Sequence, residues 1–173
     1  MIYSMRRLRY EVYYSSRRDD FKMTLESILP FIFNDPKDVE VILQEDANDL
    51  YQYALEYGFS TKKLLYLDYK GEEGREIVNY IMDYEMEHNI ELAGEEQLEE
   101  LDELEYDYLQ DKLRLANHIL APSGYGLFLC PTFGDYVALF LAKLEYKEAL
   151  LKVDVLDDEF IPEEARYIEY IID

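Results

Sequence analysis

The segment GYGLFLCPTFGDYVALFLAKL, residues 124 to 144, constrains the fold more than any other part of the chain. Two apolar runs flank a break at Phe133, Gly134 and Asp135, which is the pattern of a β-hairpin turned at a Gly-Asp step. Pro131 cannot donate to a ladder, so it is expected at the end of its strand or at a sheet edge. A second run, KKLLYLDY at residues 62 to 69, is too continuously apolar for a surface strand and is expected at the centre of the sheet.

The remaining apolar residues follow helical spacing between recognisable caps. Thr24 can cap a helix through LESILPFIF, with Pro30 kinking it or shifting its start. Asp35 precedes Pro36 at a first helical position, and Asp38 suits the positive helix end. Asp46 and Asp49 repeat the signal before LYQYALEY, where Gly58 is expected as a left-handed stop. A helix from Arg75 to His88 carries Ile77, Ile81, Tyr84 and His88 on one stripe, which predicts a buried face. A long acidic helix is expected from about Glu95 to Ile119, ended by Pro122 and Gly124. EYKEALLKV reads as a short helix, and IPEEARYIEYIID as a last one with Pro162 near its first turn.

These elements predict an α+β fold: a small, mostly antiparallel sheet with a C-terminal hairpin, covered on one face by several amphipathic helices. One compact domain over residues 23–173 is expected, preceded by a basic arm at residues 1–22 whose YEVYYSS, residues 10 to 16, could form an edge strand. A hydrophobic content of 49%, with 18 Tyr and 8 Phe, excludes a disordered acidic tail.

Charge narrows the function classes. With 39 acidic against 17 basic residues the formal net charge is −22, which disfavours nucleic acid and anionic membranes and favours a basic protein. Residues 1 to 18 hold Arg6, Arg7, Arg9, Arg17 and Arg18 against Glu11, so that stretch is +4; the other 12 basic and 38 acidic residues make the remainder −26. The single cysteine, Cys130, excludes an intramolecular disulfide and suits a reducing, cytoplasmic setting. No apolar run is long enough to span a bilayer or to follow the arginines as a secretory signal.

Acidity peaks in EEQLEELDELEYDYLQD, residues 95 to 111, with no basic residue before Lys112. On a continuous helix, Leu98, Leu101, Leu104, Tyr108, Leu109, Leu115 and Ile119 share one side, and Glu96, Glu99, Glu100, Glu103, Asp107 and Asp111 the other. A solvated face opposite a core face accounts for that division. It does not account for the like charges four residues apart, which repel, and this excess points to a basic partner. Asp102 and Glu105 fall inside the apolar arc, where a carboxylate needs a partner; Lys112 could reach Glu105 only across two turns. Tyrosine is a favoured interface residue, and Tyr106 joins those outward acids as the expected partner-binding set.

Catalytic signatures are missing. His88, His118 and Cys130 form no metal-ligand spacing, and the acidic run lacks the glycine turn of a calcium loop, so no metal or cofactor is expected. His88 is expected as a packed residue on its stripe and His118 as a charge suited to a helix C-terminus. DYKGEEG, residues 68 to 74, reads as a turn with acidic helix capping, since Glu72 and Glu73 would repel a phosphate.

Three segments, MTLESILPFIFNDPKDVEVIL, LLYLDYKG and GLFLCPTFGDYVALFLAKLEYKEALL, resemble a bacterial family of uncharacterised domains, the domain-of-unknown-function family 6630. The resemblance implies a bacterial cytosolic α+β domain and brings no catalytic residues. The expected function is therefore that of a non-enzymatic acidic protein that neutralises a basic toxin or nucleic-acid-binding enzyme, as an immunity-type inhibitor or nucleic-acid mimic. The alternatives are a small cation-dependent or hydrolytic enzyme using Asp68, Glu72 or Cys130, and a scaffold or regulatory domain.

Overall fold

The computed structural model describes residues 23–173, so the basic arm and the strand expected at residues 10 to 16 lie outside the described residues. In chain order the elements are α1 (Leu25–Phe33), α2 (Pro36–Gln44), α3 (Leu50–Ser60), β1 (Leu65–Asp68), α4 (Glu76–His88), α5 (Glu95–Glu103), α6 (Leu109–Leu120), β2 (Tyr125–Cys130), β3 (Tyr136–Lys143) and α7 (Lys147–Leu151). The fold is α+β, with a three-stranded antiparallel sheet ordered β1-β3-β2. The β2–β3 hairpin forms as expected, pairing Leu127 with Leu141 and Leu129 with Leu139, and Gly134 takes a φ of 123° in the turn.

β3 is apolar on consecutive residues because both sheet faces are buried. Phe128, Cys130, Ala138, Phe140 and Ala142 join Ile28, Leu29, Ile42 and Leu55 from α1, α2 and α3 in one core. Leu67, Leu127, Leu139 and Leu141 join Ile77, Ile81, Leu101, Leu113 and Leu120 from α4, α5 and α6 in the other. Cover on one face is thus corrected to cover on both. The expected centre also moves: β1 is an edge strand, with Tyr66 52% exposed, and the longer β3 holds the middle. The run in KKLLYLDY is continuous because Leu64 and Leu67 are buried on either side of that exposed tyrosine.

The first helices follow their caps. Thr24 N–H donates to the Ser27 hydroxyl, Asp35 accepts from Lys37 N–H, and Asp49 accepts from Gln52 N–H. α1 starts at Leu25 with Pro30 inside it, so its start is not shifted. Gly58 is no stop: it lies inside α3, and Lys62 takes the left-handed position with a φ of 60°. Glycine is needed at position 58 for a different reason, because a Cβ there would run into the buried side chain of Leu64.

Two helical expectations fail outright. The acidic run is two helices, broken at residues 104–108, where Leu104 and Tyr108 are extended. IPEEARYIEYIID contains only a short 3-10 turn at Glu163–Ala165, followed by an extended stretch. Tertiary pairing overrides helix propensity there: Leu129 and Glu169 exchange two 2.9 Å backbone hydrogen bonds, laying the tail along the free edge of β2. The fully buried Asn117 fastens this edge, accepting from Leu127 N–H at 2.7 Å and donating to Ile171 C=O at 2.7 Å. No helix among the described residues is long and apolar enough to cross a membrane.

Gly58→Ala should destabilise the fold by roughly 1–3 kcal/mol through overpacking against Leu64. Urea unfolding checks this, and a loss well under 0.5 kcal/mol, the usual scale of a neutral surface change, would show that Leu64 has room to move.

Candidate functional site

An open groove lies between α4 and α5, and its geometry starts at the turn before α4. The Glu76 carboxylate accepts from Glu73 N–H at 3.1 Å and Gly74 N–H at 2.9 Å, tying that turn to the first residue of the helix. Ile77, Val78, Tyr80 and Ile81 face the core. The expected buried stripe fades beyond them: Tyr84 is half-buried, and His88 is exposed with its ring stacked 4.0 Å from Tyr84, so His88 is corrected from a core residue to a surface one. His118 is exposed in the last turn of α6.

Asn89, at a φ of 50°, ends α4, and Glu85 reaches past it to accept from Leu92 N–H at 2.6 Å and Ala93 N–H at 3.0 Å. That carboxylate ties the connecting loop to α4 and fixes where α5 begins. α5 buries Leu98 and Leu101 and exposes Glu95, Glu96, Glu99, Glu100 and Glu103. The two helices border a groove of about 980 Å³. Met82, Met86, Ile90 and Leu98 supply its apolar lining, and Glu91, Glu95, Glu99 and Glu103 its acidic side. Met82 is 45% exposed and Met86 77%.

The break after α5 has an identifiable cause. Glu72 and Lys112 form an ion pair at 2.6 Å with both side chains only 3% exposed. Tyr106, in the connection between α5 and α6, accepts from Glu72 N–H at 3.0 Å and turns its hydroxyl to the Glu72 carboxylate at 3.4 Å. The other Glu72 oxygen accepts from Ile77 N–H at 2.7 Å, and the Lys112 ammonium stands 5.4 Å from the Tyr106 ring centre. Burial raises the Tyr106 hydroxyl above the usual phenol pKa, so it stays protonated. Gly71 completes the fit at a φ of 108°, where a Cβ would come within 3.0 Å of that hydroxyl.

This arrangement divides the expected partner-binding set. Glu99 and Glu103 line the groove, while Glu96 and Glu100 are exposed on α5 outside it. Asp107 is exposed in the connection, and Asp111 is on α6, paired with Arg114 at 2.6 Å. The single outward face drawn for one continuous helix is therefore corrected to two segments, because the Tyr106 lock interrupts the helix. Tyr106 itself is half-buried with its hydroxyl engaged internally. The misplaced acids are also explained: Asp102 pairs with Arg75 at 3.2 Å, and Glu105 is exposed in the break.

The candidates for catalysis are not brought together. Asp68 accepts from Lys70 N–H in the turn after β1, and Glu72 is sealed in its ion pair. Cys130 is buried in the opposite core, where burial pushes its thiol up to about 12. Among the described residues no cluster of His, Cys, Asp and Glu has the form of a metal site. The sequence missed the Glu72–Lys112 pair, which joins positions far apart in the chain. Its one visible signal was Lys112, a lysine set among the apolar residues of α6.

A family model described as a domain of unknown function, DUF6630, matches residues 18–156. The chain belongs to that family. This DUF6630 domain includes the hairpin, the Glu72–Lys112 pair and the whole groove within the matched residues, whereas the tail along β2 follows them. No curated protein and no solved structure matches the chain.

Lys112→Met should cost roughly 3–5 kcal/mol by leaving Glu72 buried without its counter-charge, and Glu72→Gln together with Lys112→Met should recover part of that loss. Urea unfolding of the double variant and both single variants checks this; a double-variant loss equal to the sum of the two single losses would mean the two charges are not coupled.

Proposed function

We propose that this protein is a non-enzymatic binding protein that captures and neutralises a basic protein, with α5 and the groove beside it as the contact surface. The observation that carries the reading is the state of the α5 carboxylates. Glu95, Glu96, Glu99, Glu100 and Glu103 are exposed, and none has an ion-pair partner among the described residues. Their spacing sets Glu95 against Glu99, Glu99 against Glu103 and Glu96 against Glu100, arrangements that cost helix stability. A cationic partner relieves that repulsion and is steered in by the net charge of −22. Met86 and Tyr108, at 77% and 71% exposure, add apolar contact area of the kind that anchors interfaces.

Immunity-type inhibition of a basic toxin, or mimicry of nucleic acid towards a basic enzyme, are the two forms this reading takes. In both, carboxylates stand where phosphates would. A reducing cytoplasmic setting belongs to the same reading, in keeping with the one buried thiol.

Association with a panel of basic nucleases, followed by stopped-flow fluorescence across ionic strengths, tests it. Reversing Glu99, Glu100 and Glu103 to Lys should slow association roughly tenfold or more at low salt, while stability shifts by no more than about 0.5 kcal/mol per site. Absence of any salt-sensitive association across the panel would sink the proposal.

A further inference from the structure

We infer that the α4–α5 groove receives an amphipathic basic helix of the partner, seated with its apolar face on Met82 and Met86 and its cationic flank along Glu95, Glu99 and Glu103. This rests on the acidic-surface reading above and makes it specific. The groove separates its two chemistries by side. Met82 and Met86 are one turn apart on α4, giving a short apolar strip on its groove side. Glu95, Glu99 and Glu103 follow the same turn-by-turn spacing on α5, giving a row of carboxylates on the other wall.

Two neighbouring carboxylates are already engaged. Glu85 holds the loop at Leu92 and Ala93, and Asp102 is paired with Arg75. The accessible negative charge is therefore concentrated on the α5 side. A helix is the ligand whose side chains repeat at the spacing of both stripes, presenting apolar anchors at i, i+3 or i+4 and i+7 and lysines or arginines beside them. An extended strand gains no such match, because both walls are helices whose backbone groups bond internally, leaving no ladder to join. Methionine suits the floor, since an unbranched thioether adapts to anchors of different shape and keeps some flexibility while waiting for them.

The test uses the full chain and two labelled synthetic peptides of about four turns. One has Leu at i, i+3, i+7 and Lys on the adjoining flank; the other is a scramble of the same composition. Fluorescence anisotropy should show the amphipathic peptide binding at least tenfold more tightly, with affinity falling as salt rises. Met82→Gln with Met86→Gln should abolish that preference while the salt dependence remains, and Glu95→Gln with Glu99→Gln and Glu103→Gln should flatten the salt dependence. The Met82 and Met86 methyl resonances should shift with the amphipathic peptide, a readout independent of any loss of stability. Equal salt-dependent binding of both peptides would overturn the helix-in-groove inference and leave the acidic-surface reading standing. Salt-insensitive binding, or no binding of either peptide, would overturn both.

Discussion

The ion pair between Glu72 and Lys112 sets the geometry on which the acidic half of the molecule depends. Burying two charges is costly, and this site offsets the cost with a 2.6 Å contact, a backbone N–H on one carboxylate oxygen and a tyrosine hydroxyl near the other. Glu72 lies in the turn after β1, Lys112 in the first turns of α6, and Tyr106 in the connection before it. One cluster thereby ties the turn after β1 to the start of α6 and the connection that leads into it. Without it, the run from Glu95 has the local pattern to continue as one helix through residues 104–108. With it, α5 stops at Glu103 and stands beside α4 as one side of a groove.

That placement changes what the acidity means. On a continuous helix, the carboxylates would form one long solvated face, and surface repulsion would be their main consequence. Here the charge near the groove faces an apolar stripe containing two exposed methionines. An acidic row and an apolar strip lining one groove can discriminate among cations by shape as well as by charge, because only a ligand carrying both chemistries satisfies both sides.

The sequence disclosed local features better than distant pairings. Asp35, Asp49 and the Gly-Asp hairpin turn acted where they were expected, since caps and turns depend on neighbours within a few residues. The errors came from long range. Gly58 resembled a helix stop, yet its reason is Leu64 packed against it. The last segment resembled a helix, yet its Ile168 is buried and Glu169 pairs with Leu129 on β2. Glu105 falls on the apolar arc only if the helix is continuous, and the break at Tyr106 leaves it exposed. Of the site, the carboxylates of α5 were legible as an amphipathic face. Met82 and Met86 were not, because an outward methionine is recognised only once its neighbours leave it uncovered.

Amide hydrogen exchange mapped over the full chain, with and without a lysine-bearing amphipathic helical peptide, tests the central claim most directly. The account predicts slower exchange on peptide addition across α4, the loop at residues 89–94 and α5, with β1 and β3 unchanged. Protection centred on any other surface, or none at saturating peptide, would contradict it.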